Sequence, residues 1–172
     1  ISSTTGIRMI GILIENGIAG NSDPALLING SGLCRFERCL FRKTNAADLN
    51  VITIQGVSNG NHQFYNCFIR GNLLVNSSVG SSPVYVSGMN SGEFLSRTDS
   101  AESVLYIDNS PVIGRVTHSN GALILSNIRK IEAFGGTSIS STANSGGINI
   151  LAVQNVALRQ DNLAYGSFAK SG

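Results

Sequence analysis

Along Phe64-Tyr65-Asn66-Cys67-Phe68-Ile69-Arg70-Gly71 an apolar residue is followed by an outward one, then an Asn, then a short apolar strand that closes on Gly. Related phrases recur along the chain. Ile14-Glu15-Asn16 and Phe36-Glu37-Arg38-Cys39-Leu40-Phe41 precede it. Val86-Ser87-Gly88, Ile107-Asp108-Asn109, Leu125-Ser126-Asn127 and Val153-Gln154-Asn155 follow it. The third position of each phrase is Asn16, Arg38, Asn66, Gly88, Asn109, Asn127 and Asn155, at steps of 22, 28, 22, 21, 18 and 28 residues. Asn and Gly both tolerate the left-handed backbone conformation, so one such residue bends the chain sharply between two extended segments. A bend repeated every two to three dozen residues fits a coil whose turns stack at the inter-strand spacing of roughly 4.8 Å. Stacked Asn side chains can also hydrogen-bond along their column. The competing reading is an ordinary turn-rich all-β chain.

The intervening segments supply strands. Val51-Ile52-Thr53-Ile54-Gln55 is the clearest β-branched run, and Ala25-Leu26-Leu27-Ile28-Asn29 is its expected counterpart one turn earlier. Leu73-Leu74-Val75, Val84-Tyr85-Val86, Val104 to Ile107, Gly121 to Leu125, Ile131 to Phe134 and Ile148 to Leu158 read the same way. Gly88 to Ser103 and Gly135 to Gly147 read as long loops, and Ser110-Pro111 weakens the strand expected after Asn109. The pattern fades after Arg159. The expected organisation is a coil over residues 1–159, with 160–172 as a tail or a linker to a further domain. No 3.6-residue apolar period extends over a useful length.

The Phe64 to Gly71 phrase resembles a rung of the right-handed parallel β-helix proteins, a family that includes pectate lyases, other polysaccharide-processing enzymes and bacteriophage tailspikes. The resemblance spans roughly Ile7 to Arg159. It implies an all-β fold, a right-handed single-stranded parallel β-helix of about seven rungs. Arg38 departs from the pattern, and Gly88 leaves a gap in the Asn column.

Composition fits that picture. Only 13% of the 172 residues are charged, and there are 20 glycines. This suits a turn-rich β protein with a neutral polar surface. A net charge of +2 makes no case for nucleic acid or an anionic membrane, and no run of 18 apolar residues predicts membrane insertion. Ile1 is not an initiator Met, so the chain is expected to be a fragment or processed product. The open ends of a coil need covers, which missing sequence or neighbouring subunits would provide. Cys39 and Cys67 share a repeat position, so they are expected to stack as buried thiols rather than to bridge. The spacing of Cys34, Cys39, His62 and His118 gives no metal site, and no cofactor is expected.

Two groups of side chains are candidates for chemistry. In the 22-residue register Glu15 and Glu37 occupy the same outward position in adjacent turns, about 5 Å apart, the separation of a retaining glycosidase pair. The alternative is a solvated pair neutralised by Arg35, Arg38 or Arg42. The second group is Glu93, Arg97, Asp99, Glu102 and Asp108, joined by Tyr106 and by Tyr85 one turn away. The two rings would form an aromatic platform for a sugar. Glu15, Glu37, Asp99 and Asp108 are therefore the catalytic candidates. Tyr85, Glu93, Arg97, Glu102 and Tyr106 are the ligand-binding candidates. No Gly-x-Ser-x-Gly elbow, phosphate cradle or calcium repeat occurs.

Three functions stay open. The first is a structural and receptor-binding segment of a bacteriophage tailspike or fibre, located in the virion tail or outside the cell. The tailspikes it resembles are homotrimers that bind bacterial surface polysaccharide. The second is a glycoside hydrolase or polysaccharide lyase of the same fold, and the third is a bacterial surface adhesin.

Overall fold

A computed structural model describes residues 6–18, 22–30, 32–44, 50–55, 61–76, 83–88, 95–98, 104–113, 116–118, 122–131, 139–141, 148–153, 158–160 and 168–171. The chain visits its sheets in a repeating order. A first circuit lays down β1 (Ile7–Ile10), β2 (Leu13–Asn16) and β3 (Leu26–Ile28). The next two add β4 (Cys34–Glu37), β5 (Leu40–Lys43), β6 (Asn50–Gln55), β7 (His62–Tyr65), β8 (Phe68–Arg70) and β9 (Asn72–Asn76). Then follow β10 (Pro83–Ser87), β11 (Leu95–Thr98), β12 (Val104–Asp108), β13 (Val112–Ile113) and β14 (Val116–His118). The last are β15 (Ala122–Ile128), β16 (Lys130–Ile131), β17 (Ile139–Ser141), β18 (Ile148–Val153), β19 (Leu158–Gln160) and β20 (Phe168–Ser171).

An eight-stranded sheet takes β1, β4, β7, β10, β12, β15, β18 and β20 in that order, and a seven-stranded sheet runs from β3 through β6, β9, β11, β14 and β17 to β19. Strands β2, β5 and β8 form a third sheet, and β13 pairs with β16. Every pairing is parallel, each strand meeting its counterpart from the next circuit. The described residues are thus all-β, without a helix, in stacked parallel sheets compatible with a parallel β-helix.

Alternation puts every second side chain inside. Phe36, Phe64, Val86, Ile107 and Leu125 form one buried column, and Ile28, Ile54 and Val75 another. Phe36 stacks on Phe64 at 5.1 Å, and Phe41 meets both edge-on at 5.4 and 5.9 Å. Each such side chain contributes roughly 1.5–3 kcal/mol by leaving water. The core is therefore a stack of matched layers, and a change in one layer is felt by the next.

The bend residues carry positive φ as their type requires: Arg38 (52°), Asn66 (51°), Gly88 (68°), Asn109 (46°) and Asn127 (49°). Their backbone N–H groups continue the ladder between circuits, as from Asn66 to the Ser87 carbonyl at 2.8 Å. Asn127 donates to the Asn109 side chain at 2.7 Å, the column bond expected of stacked Asn. The first bend is Gly11 (65°), not Asn16, because Ile10 rather than Glu15 pairs with Glu37. Asn16 instead ends β2, bonding the Asp23 carbonyl at 2.8 Å and accepting from the Ile18 amide at 3.2 Å. At the far end Ser126 pairs with Leu151 and Ile128 with Val153. That register passes Asn155, which lies outside the described residues.

Both expected loops contain a strand. Leu95–Thr98 and Ile139–Ser141 join the seven-stranded sheet. Pro111 stands just before β13, where its missing N–H removes no ladder bond from that strand. Within 160–172, Phe168–Ser171 pairs with β18, so parallel pairing extends past residue 159. Cys34, Cys39 and Cys67 are free and buried. Burial pushes the Cys67 thiol up to about 11.

Candidate functional site

The outer face of the eight-stranded sheet carries two in-register columns. One runs Arg8, Arg35, Gln63, Tyr85, Tyr106 and Ile124, and the other Ile10, Glu37, Tyr65, Ser87, Asp108 and Ser126. Because Tyr85 pairs directly with Tyr106, their rings are forced together. The centroids lie 4.8 Å apart with 12° between the planes. Each ring covers one face of the other, so the pair is a fixed, half-buried aromatic block. The expected adjacency of Tyr85 and Tyr106 is thereby met.

Beside this block lies a charged cluster. Arg8 donates to both Glu37 oxygens at 3.1 and 3.2 Å, and Arg35 donates to Oε1. The bonds from Arg8, and after them those from Arg35, hold the Glu37 carboxyl below the usual carboxylate range. The Arg35 guanidinium also lies 4.9 Å from the Tyr65 ring centre. The two arginines stay 60% and 44% exposed, so these pairs orient side chains more than they stabilise the fold.

The Glu15–Glu37 pair does not form. The repeat step there is 27 residues, not 22, which puts Glu15 on β2 opposite Arg42 and Glu37 on β4 between Ile10 and Tyr65. Glu15 is bonded by Arg42 at 2.9 Å. Each carboxylate is held ionised by arginine on its own sheet, so neither has the free acid a retaining pair needs. Asp108 sits in the candidate face between Ser87 and Ser126, next to Tyr106 in sequence. Its Oδ1 is buried and accepts no hydrogen bond, while its main-chain oxygen accepts from Gly88 N at 3.2 Å and Ser110 Oγ at 2.9 Å.

The second sequence cluster is divided. Arg97 lies on β11 in the seven-stranded sheet, paired with Leu74 and Thr117, whereas Tyr85, Tyr106 and Asp108 are on the eight-stranded sheet. Glu93, Asp99 and Glu102 fall outside the described residues. Arg8, Arg35 and Gln63 were missed as members of the face. Aligning Ile7-Arg8-Met9-Ile10-Gly11 with Cys34-Arg35-Phe36-Glu37-Arg38 would have found the first two. Among the described residues no group of three or more His, Cys, Asp or Glu gathers to hold a metal, and no helix is long and apolar enough to cross a membrane. In comparison with known proteins, no family model, no curated protein and no solved structure matches this chain.

Proposed function

We propose that the chain is a right-handed parallel β-helix of about seven rungs serving as a structural and receptor-binding segment of a bacteriophage tailspike or fibre. In this reading it acts as a homotrimer in the virion tail or outside the cell, and binds bacterial surface polysaccharide along the outer face of the eight-stranded sheet. The observation that carries the reading is the Tyr85–Tyr106 stack, bordered by Gln63, Ser87 and Asp108 on a rigid ladder. Sugars present apolar C–H faces and a rim of hydroxyls. A preorganised aromatic block meets the first, and amide, hydroxyl and carboxylate groups meet the second. Rings already locked by stacking lose little freedom on binding. Columns that repeat along a sheet also suit a polymer better than a single small molecule.

A second reading, a glycoside hydrolase or lyase of the same fold, rests on Asp108, whose Oδ1 is buried and accepts no bond. A panel of bacterial capsular and lipopolysaccharide glycans, scored for both binding and new reducing ends, tests the two together. Binding without release supports the receptor-binding reading. Release that Asp108→Asn abolishes supports the enzyme. Absence of binding to every glycan overturns both for this segment.

A further inference from the structure

The outer face of the three-stranded sheet differs from the polysaccharide face. Leu13, Leu40 and Phe68 are in register and form an apolar column on its surface. Leu13 is 50% exposed and Phe68 42%, so this column is not part of the core. On one side, two residues along the strands, runs the column Glu15, Arg42 and Arg70. On the other, Arg38 occupies the bend between β4 and β5, exposed and with φ of 52°. Side chains other than Gly and Asn rarely hold that conformation, and such strain tends to persist where a side chain is used.

Charge decides what can cover this ridge. Three arginines against one glutamate leave +2, equal to the formal excess of the entire chain. Two like faces brought together would set Arg42 and its neighbours against their own copies, which disfavours a symmetric contact. A bare polyanion would leave the Leu13–Leu40–Phe68 column in water. We propose that this face docks an acidic polypeptide segment with apolar anchors, its side chains alternating between carboxylates for Arg38, Arg42 and Arg70 and apolar groups for the Leu13–Phe68 column. An apolar strip rimmed by charge of one sign fits such a partner.

The test uses the full chain and a fluorescein-labelled peptide that alternates glutamate with leucine. Polyglutamate and the lysine–leucine counterpart serve as controls. The glutamate–leucine peptide is expected to bind, and Phe68→Ser and Arg38→Gly should each weaken it by about tenfold. Circular dichroism checks the fold, and Leu13→Ser replaces Phe68→Ser if the latter does not fold. Equal binding of polyglutamate, unaffected by Phe68→Ser, would reduce the face to a charge patch and overturn the proposal. Equal binding of the lysine peptide, or no peptide binding, also overturns it. So does self-association lost in Phe68→Ser without peptide binding, which would assign the ridge to a second copy.

Discussion

The side-chain oxygen of Asn66 occupies the space that a Cβ on Gly88 would take. A Cβ built on Gly88 overlaps Asn66 Oδ1 and lies 3.2 Å from Asn66 Cγ. The gap in the Asn column is therefore a packing feature. The bend below leans into it, and Gly88 with φ of 68° has no side chain to resist. Gly88→Asn should destabilise the protein by about 1–2 kcal/mol, from left-handed backbone strain plus displacement of Asn66. In an Asn66→Gly background the same change should cost less, a coupling that urea unfolding of the double-mutant cycle would measure.

Arg38 presents the opposite case. It holds φ of 52° with a full side chain, and its neighbours in the column are Gly11 and Asn66. Arg38→Gly should raise stability by about 0.5–1 kcal/mol by removing that strain. Urea unfolding midpoints report it, and a loss of stability would mean that the arginine side chain contributes more than its backbone costs.

His62 makes the fold acid-sensitive. It is fully buried in the inward column between Cys34 and Val84, and burial drives its pKa down from 6.5 to about 4. The neutral form is the one the folded state holds. Its contribution is thus complete above pH 6.5 and is lost as pH falls towards 4, on the order of 3 kcal/mol in all. Unfolding free energy measured across that window should decline in the wild type, and the decline should flatten in His62→Gln.

The three thiols should be inert in the native protein. Cys34, Cys39 and Cys67 are each only 2% exposed, and Cys34 and Cys67 are pushed up by burial. A thiolate-selective disulfide reagent should label none at neutral pH and all three in denaturant. Rapid native labelling would show that the core opens locally.

The bends from Arg38 to Asn127 were legible in the sequence because αL geometry selects Asn and Gly at the backbone level. The first bend was not, because Ile14-Glu15-Asn16 carries the same local signature as a bend while Gly11 carries a shorter one. That five-residue displacement created the false Glu15–Glu37 pair, since a register error moves every side chain to a new neighbour. Strands β11 and β17 were hidden because Leu95-Ser96-Arg97-Thr98 and Ile139-Ser140-Ser141 are mostly polar. Tertiary pairing with β9 and β14, not local propensity, makes them strands. The Tyr85–Tyr106 contact was readable because both residues sit at one offset from a correctly placed bend.

Calorimetric titration with a bacterial surface glycan drawn from the panel, comparing wild type with Tyr85→Ala/Tyr106→Ala, tests the central claim most directly. The account predicts that affinity falls by about tenfold or more, near 1.4 kcal/mol, while circular dichroism stays unchanged. An affinity unaltered by loss of both rings would contradict it.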